Sequence, residues 1–446
     1  MKHELTTGSV FRNLVFFSLP YLLSYFLQTL YGMADLFIIG QYEGVASTTA
    51  VSIGSQVMHM LTVMLVGLAM GTTVSVGQAV GAKDREQAAS SVGNTITLFF
   101  CLSLVLTGVL LALRQSIVAV MSTPEEAVSG TVAYLTVCFA GIPFITGYNI
   151  ISSIFRGLGD SKSPMYFVMV ACVVNILLDY LFIGGLHMGP TGAALGTTLS
   201  QAVSVAVALV VIRRRGGLGV SLRPGDLRPR RQVMGRLLRI GVPIAVQDGF
   251  IQISFLLITI IANHRGLTDA AAVGIVEKII SFLFLIPSSM LSSVSALGAQ
   301  NIGAGKPERA IATLRYAVAI ALCFGAAEVL LIQFISVPLV GLFTADAAVA
   351  AAGGTYIRGY IWDAFFAGVQ FSFSGYFCAC GRSGLSFLHN FLSIVLVRIP
   401  GAYWASRLFP QTLLPMGLAS AGGSLFSILV CVAAFCLLRR QTRREG

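Results

Sequence analysis

Apolar stretches long enough to cross about 30 Å of hydrocarbon as helices recur from one end of the chain to the other, and that recurrence leaves few folds open. At bilayer depth the backbone must satisfy its own hydrogen bonds, so spanning segments are helices or closed barrels. The ten-residue alternation of a barrel strand is absent. Twelve spans are read, at about 14–39, 48–79, 92–113, 129–155, 165–186, 191–212, 237–262, 270–299, 311–335, 352–378, 386–408 and 413–438. Composition agrees: 56% of the residues are hydrophobic and 11% charged, against about 25% charged in a soluble domain, and the mean hydropathy is +0.85. The expected fold class is an all-α polytopic membrane protein. Residues 1–9 (MKHELTTGS) lack an apolar core followed by a small-residue cleavage site, so the first helix is expected to act as its own insertion signal.

A net charge of +11 would suit a nucleic-acid partner, but the basic residues lie mostly between and beyond the spans. Assigning the termini and even-numbered connections to one side places there fourteen Lys and Arg, from Lys2 to Arg443 and Arg444, together with the nine arginines of 213–239. The opposite side holds Arg114, Arg265, Arg358 and Arg407 alone. The positive-inside rule accounts for this without nucleic acid, and puts both termini in the cytoplasm of a cell-membrane protein. The eight cysteines lack paired metal-site spacing and the five histidines are scattered, so no metal cluster is expected.

The basic linker divides the chain into an amino-terminal half, 1–212, a cytoplasmic strap, 213–236, and a carboxy-terminal half, 237–446. The strap reads as solvated chain or as a contact for anionic lipid. The halves resemble each other. Gln78 to Ala82 (QAVGA) recurs as Gln300 to Ala304 (QNIGA), and Phe155 to Ser161 (FRGLGDS) as Phe377 to Ser383 (FCACGRS), both 222 residues on. Pro20 recurs as Pro243, 223 residues on, and each proline is placed to bend its helix. Each half holds an even number of helices, so the two insert with the same orientation. They are expected to be six-helix lobes related by a pseudo-two-fold axis along the membrane normal, enclosing a cavity near the midplane.

Acids inside the spans are the functional candidates, because an ionised group at bilayer depth costs about 2.5 to 3.5 kcal/mol on insertion scales. Asn175 and Asp179 are four residues apart in an apolar run, so both project from one helical face and can grip one small object. Asp35 lies in another apolar run. The alternative for each acid is a hydrogen bond or cap to a neighbouring helix. Glu277 reads either as one half of a structural pair or as a cavity acid; Lys278, beside it in sequence, points to a different face. Asp363, in Tyr360-Ile361-Trp362-Asp363-Ala364-Phe365-Phe366, could meet a flat cation stacked on the aromatics, or the stripe could be lipid-facing or packing surface. Gln28 and Gln252 complete the cavity candidates. Asp160, in Gly157-Leu158-Gly159-Asp160, matches the G-x-G-D of intramembrane aspartyl proteases, but it falls in a basic, Gly- and Pro-punctuated turn with no second carboxylate to share a proton. No serine-nucleophile or P-loop signature is present, so the energy source is expected to be an ion gradient.

The proline-bearing first helix with Asp35, the Q-A-V-G-A-K-D run at 78–84, the R-G-L-G-D-S-K-S-P run at 156–164 and the doubled six-helix layout resemble the multidrug and toxic compound extrusion (MATE) family. Asn175 with Asp179 resembles its DinF-like branch. The resemblance implies an amino-terminal cation site at Asp35, Asn175, Asp179 and the hydroxyl of Thr197, for sodium or a proton, with no other cofactor. At the seventh-helix position where NorM-type relatives place an acid, this chain has Ile251 or Gln252, and Asp363 is about a turn out of register with the tenth-helix motif. The implied function is antiport, in which inward cation movement drives export of amphipathic, often cationic, small organic compounds by a monomeric, non-enzymatic transporter. A flippase for a lipid-linked saccharide or other amphipathic lipid is the alternative. For a pyrophosphate it would want basic residues in its cavity, and the spans offer Lys278 and Arg398.

Overall fold

The computed structural model describes residues 5–445, with side chains to residue 440. Lys2 and the side chains of Arg443 and Arg444 therefore lie outside the described residues. Those residues form helices and no strands. The amino-terminal half contains α1 (Val10–Tyr42), α2 (Val45–Gly81), α3 (Arg85–Val120), α4 (Glu125–Ala140), α5 (Ile142–Gly157), α6 (Lys162–Asp179) and α7 (Gly189–Arg214). The carboxy-terminal half contains α8 (Arg231–Asn263), α9 (Leu267–Leu283), α10 (Leu285–Gly303), α11 (Pro307–Gly341), α12 (Ala347–Ala379), α13 (Ser383–Ser393), α14 (Ile399–Leu408) and α15 (Leu414–Glu445).

Ten of the described helical stretches are long and apolar enough to cross a membrane, and the bent pair α4–α5 makes eleven. α12, 33 residues long and carrying Arg358 and Asp363, brings the two-lobe count to twelve. The fourth span, expected as one helix, bends by 49° between α4 and α5. The break has a local cause: Gly141 is followed by Pro143, which cannot donate to the preceding turn. A Cβ on Gly141 would lie 2.3 Å from a methyl of Thr198, so the close approach of α7 also requires glycine there.

The outer surface is what a lipid solvent selects. Phe334 is 81% exposed, Leu330 64% and Leu177 63%, whereas the interior buries small polar residues such as Ser293, Ser295 and Thr72. That inversion is expected where apolar contact with lipid costs nothing and helices are held by close packing and hydrogen bonds. Ile39, Tyr134, Leu135 and Phe139 centre the amino-terminal core, and Val276, Tyr356, Ile357 and Tyr360 the carboxy-terminal one.

The internal repeat extends to backbone hydrogen bonds. Asp84 N donates to Ala79 O at 3.0 Å and Lys306 N to Asn301 O at 2.9 Å; Asp160 N donates to Phe155 O at 2.9 Å and Arg382 N to Phe377 O at 2.8 Å. These are the six-to-one bonds that close a helix through a left-handed residue. Lys83 (φ 58°) and Gly305 (φ 69°) supply it in one pair, Gly159 (φ 91°) and Gly381 (φ 69°) in the other. The loop acids are caps. Asp84 accepts from Gln87 N at 2.9 Å, and Asp346 from Ala348 N at 2.8 Å. Asp160 accepts from the backbone of Lys162 and Ser163, both at 3.0 Å, and pairs with Arg215 at 3.2 Å. The G-x-G-D aspartate thus starts α6 rather than meeting a second carboxylate.

Two features of the chain's division differ from the sequence expectation. The 213–236 strap is not solvated throughout: its turn at Pro224–Leu227 docks on α3. Asn94 donates to Asp226 O at 3.2 Å and accepts from Arg230 N at 2.7 Å, Thr97 donates to Leu227 O at 2.7 Å, and a Cβ on Gly93 would lie 2.3 Å from Asp226 O. Composition sees eight arginines here; it does not see that the carbonyls between them find donors.

The compact units are also not cut at the strap. One comprises Met1–Thr6, Leu19–Gly241 and Gly303–Gly305, the other Thr7–Ser18, Val242–Ile302 and Lys306–Gly446. The boundaries after Ser18 and after Gly241 fall inside helices, two residues before Pro20 in α1 and two before Pro243 in α8. Within the first unit, Cβ atoms on Gly71 and Gly241 would each lie 2.2 Å from a carbonyl, of Leu237 and Leu68, so α8 begins in backbone contact with α2. Within the second, Ser289 donates to Ser18 O at 3.0 Å and Arg309 to Gly8 O at 3.0 Å.

Three of the four arginines in the sparsely charged connections have structural work. Arg265 pairs with Asp269 at 2.7 Å and donates to the carbonyls of Ser406, Phe409, Pro410 and Thr412, tying the α8–α9 turn to the α14–α15 turn. Arg358 donates to Ser336 Oγ at 2.7 Å, and Arg114 to Leu111 O at 2.7 Å.

Candidate functional site

Asp35 enters the amino-terminal lobe from α1, Asn175 and Asp179 from the last turn of α6, and Thr197 from α7. Asp35 is 5% exposed and Asn175 and Asp179 are 0% exposed, although the helices that carry them are largely apolar. Thr197 Oγ1 donates to Asp35 Oδ2 at 3.2 Å, and Asp35 lies within interaction range of Asp179 and Asn175. Asp35 Oδ1, both carboxyl oxygens of Asp179 and both amide atoms of Asn175 are buried with no hydrogen-bond partner among the described residues.

Local backbone explains how these groups converge. At i and i+4, Asn175 and Asp179 share a helical face. Immediately after Asp179 the helix widens into a π turn, Tyr180–Gly185, with Leu186 N donating five residues back to Leu181 O at 2.9 Å. Such insertions re-aim the end of a helix and concentrate at functional sites. Gly196, one residue before Thr197, provides the room: a Cβ there would lie 2.1 Å from Asp179 Oδ1. Gly196→Ala is accordingly expected to fold but to displace that carboxylate. A cation-dependent signal should need a concentration higher by roughly 10- to 100-fold, the range seen when a metal ligand loses its support. A titration indistinguishable from the parent would show that Asp179 does not touch the ion.

Two carboxyl groups this close and this dry cannot both carry negative charge without a proton or cation between them. The ligand atoms available are carboxyl, amide and hydroxyl oxygens, which suit a hard cation. Among the described residues no group of three His, Cys, Asp or Glu could hold a metal ion. Beside the cluster is a cavity of about 60 Å³, lined by Gln28, Tyr31, Tyr148, Asn149, Thr197 and Gln201 among others. Met58, Ile145, Val168 and Ala171 share the wall with these polar side chains, and the space is large enough to admit water, so Thr197 sits between that space and the buried carboxyls.

The structure thus brings Asp35, Asn175, Asp179 and Thr197 together and puts Gln28 in the adjoining cavity wall. Tyr31, Tyr148, Asn149 and Gln201 also belong to that wall and were not singled out. The signal available was the two amides, Asn149 and Gln201, set in apolar runs. The other candidates lie in the carboxy-terminal unit and not in this cluster. Gln252 is half-buried on α8. Glu277 accepts from Thr259 Oγ1 at 2.6 Å, a partner on α8, and Lys278 is exposed. Asp363 is 0% exposed and takes hydrogen bonds from Arg398 and Ser424, so it does not present a free carboxylate to an aromatic cation. Its neighbours Trp362 and Phe365 stack on each other edge to face at 6.0 Å. Pro20 and Pro243 both lie inside continuous helices.

Comparison with known proteins gives one picture. The family model MatE matches residues 20–181 and again 243–404. Among relatives, the probable multidrug resistance protein YpnP of Bacillus subtilis is 28% identical over 97% of this chain and 95% of its own. The probable multidrug resistance protein NorM of Thermotoga maritima is 26% identical over 90% and 87%, and the multidrug export protein MepA of Staphylococcus aureus 25% identical over 90% and 89%. A crystal structure of MATE in complex with MaL6 superposes with a TM-score of 0.91 over 99% of each chain at 22% identity, and MATE in the bent conformation with a TM-score of 0.90 over 98% of each.

Proposed function

Since the chain belongs to the MatE family of membrane transporters, we propose that it is a secondary active antiporter: a proton or sodium ion moving inward at the amino-terminal lobe drives export of amphipathic, often cationic, organic compounds. The observation that carries this reading is the buried oxygen cluster of Asp35, Asn175, Asp179 and Thr197, in which Asp35 Oδ1, both carboxyl oxygens of Asp179 and the Asn175 amide have no hydrogen-bond partner among the described residues. Charge held there without a counter-ion is costly, so an ion that binds changes the relative free energy of the lobe's conformations. The names of YpnP, NorM and MepA, as multidrug resistance or export proteins, support the substrate class.

In the cycle, the cation enters Asp35, Asn175, Asp179 and Thr197 and removes net negative charge from the lobe. α1 carries Asp35 and, at its other end, Pro20, where the helix lacks a backbone donor and bends at low cost. Loading the ion shifts the population toward the shape that releases the organic substrate outward; losing it to the cytoplasm restores the substrate-accepting shape. The carrier works as a monomer with both termini in the cytoplasm, by the charge asymmetry of its loops. Of the two basic residues the flippase alternative could use, Arg398 is bound to Asp363.

The test is ethidium efflux from vesicles reconstituted with purified protein, under a sodium gradient and a proton gradient applied separately. Efflux driven by one of them supports antiport. Equal rates with and without both gradients would refute it.

A further inference from the structure

Arg156 stands in the loop motif Phe155 to Ser161, but the helix-closing bond of that motif does not need it. The second copy, Phe377 to Ser383, has Cys378 in its place and makes the same bond, Arg382 N to Phe377 O at 2.8 Å. A basic residue kept for topology is expected to stay in water, yet Arg156, in the last turn of α5, is 8% exposed. None of the ion pairs among the described residues includes it. Its guanidinium lies 4.4 Å from the ring centroid of Tyr21 on α1, and the ionisable groups that face it are Tyr21, Tyr25 and Tyr148. A ring face and the end of a helix offset part of the cost of burying a cation, but neither replaces an anion.

Hydrogen-bonding groups continue from that guanidinium to the cavity beside the cation cluster. Tyr148, Ser152 and Arg156 are spaced four apart on α5 and share one face. Long side chains lean toward the start of their helix, so Arg156 reaches back toward the other two. Tyr148 is within interaction range of Arg156, Ser152 and Gln28, and Tyr148 and Gln28 both line the cavity. The hydroxyls of Tyr148 and Ser152 are buried with no hydrogen-bond partner among the described residues. A guanidinium without an acid, two idle hydroxyls and a carboxamide are donors, the reverse of the acceptors at Asp35 and Asp179, and donors converging on one place fit an oxyanion.

We propose that Arg156, Ser152, Tyr148 and Gln28 form an oxyanion subsite beside the amino-terminal cavity, which takes the carboxylate of an organic substrate. The substrates of the antiporter then include amphiphiles that carry an acid as well as a cationic, aromatic part. Tyr148, Ser152 and Arg156 are buried within the lobe and not at its lipid-facing surface, which makes a substrate rather than a lipid headgroup the carrier of the anion. The proposal rests on the antiport reading for what is transported, but not for what is bound.

Purified protein in a neutral detergent is titrated against a carboxylate-bearing rhodamine and, separately, against its methyl ester, with fluorescence polarisation as the readout. The two dyes share one cationic ring system and differ only at the acid. The parent is expected to bind the acid more tightly by roughly 10- to 100-fold, the range of a hydrogen bond to a charged group. Arg156→Gln is expected to bring the two affinities together. Equal affinities in the parent, or a preference kept by a folded, monodisperse Arg156→Gln protein, would overturn the proposal. Should that variant not fold, Tyr148→Phe/Ser152→Ala decides: a preference reduced several-fold upholds the subsite, and an unchanged one overturns it. Dyes bound alike, together with binding of short-chain phosphatidylglycerol but not phosphatidylcholine that is lost in Arg156→Gln, would assign the subsite to a lipid headgroup and overturn the substrate assignment. A failure of the antiport reading shows separately, as ethidium efflux indifferent to both gradients, because dye binding is measured without one.

Discussion

Vesicles carrying Asp35→Asn or Asp179→Asn are expected to lose gradient-driven ethidium efflux down to the rate of protein-free vesicles. The substitution is nearly isosteric, so the helix packing that buries both groups should persist. What it removes is the capacity to alternate between a charged and a neutralised state. An amide is neutral in every state, so it supplies no difference in ion affinity between the inward- and outward-open shapes, and without that difference a gradient cannot shift the equilibrium. Each single variant is expected to be as damaging as the double, because the two carboxyls act on one ion. Binding of ethidium to purified Asp35→Asn protein, measured by fluorescence polarisation without a gradient, is expected to survive, which separates lost coupling from lost folding. Undiminished efflux in both variants would sink the assignment of the coupling site.

The second large effect is on stability. Asp363 and Arg398 form an ion pair whose partners are 0% and 8% exposed at the side chain. Breaking a buried pair by removing one partner leaves an uncompensated charge and costs about 3 to 5 kcal/mol, whereas replacing both with well-packed apolar residues is often close to neutral. Arg398→Met and Asp363→Leu are each expected to lower the apparent melting temperature in detergent sharply, and the double variant to recover most of the loss. That non-additivity is the signature of a direct pair. Additive losses would mean that each side chain is held chiefly by other contacts, such as Ser424 on Asp363. The two experiments read different lobes: transport follows Asp35 and Asp179, stability follows Asp363 and Arg398.

Much of this was legible in order along the chain. Hydropathy marks the spans because transfer from water to lipid is a sum over consecutive residues. The repeat showed in the recurring loop motifs because each copy closes its helix with the same six-to-one hydrogen bond, which needs a left-handed residue at a fixed place. Asn175 and Asp179 announced themselves as a pair because helical geometry puts positions four apart on one face. The strap was misjudged for the opposite reason: its arginines are visible in composition, whereas the bonds from Asn94 and Thr97 to its backbone join residues 130 or more positions apart.

The sequence by itself determined that this is a membrane protein of doubled helical lobes and which of its residues are too polar to be there without a reason. Only the tertiary structure decided which of those residues meet. Asp35 and Thr197 are 162 positions apart and touch; Asp363 and Arg398 are 35 apart and neutralise each other. The cost of placing a charge in oil is a local quantity that sequence reveals, but whether an ion, a water-filled cavity or an arginine meets that charge depends on which helix faces are packed together, and no local pattern encodes that choice.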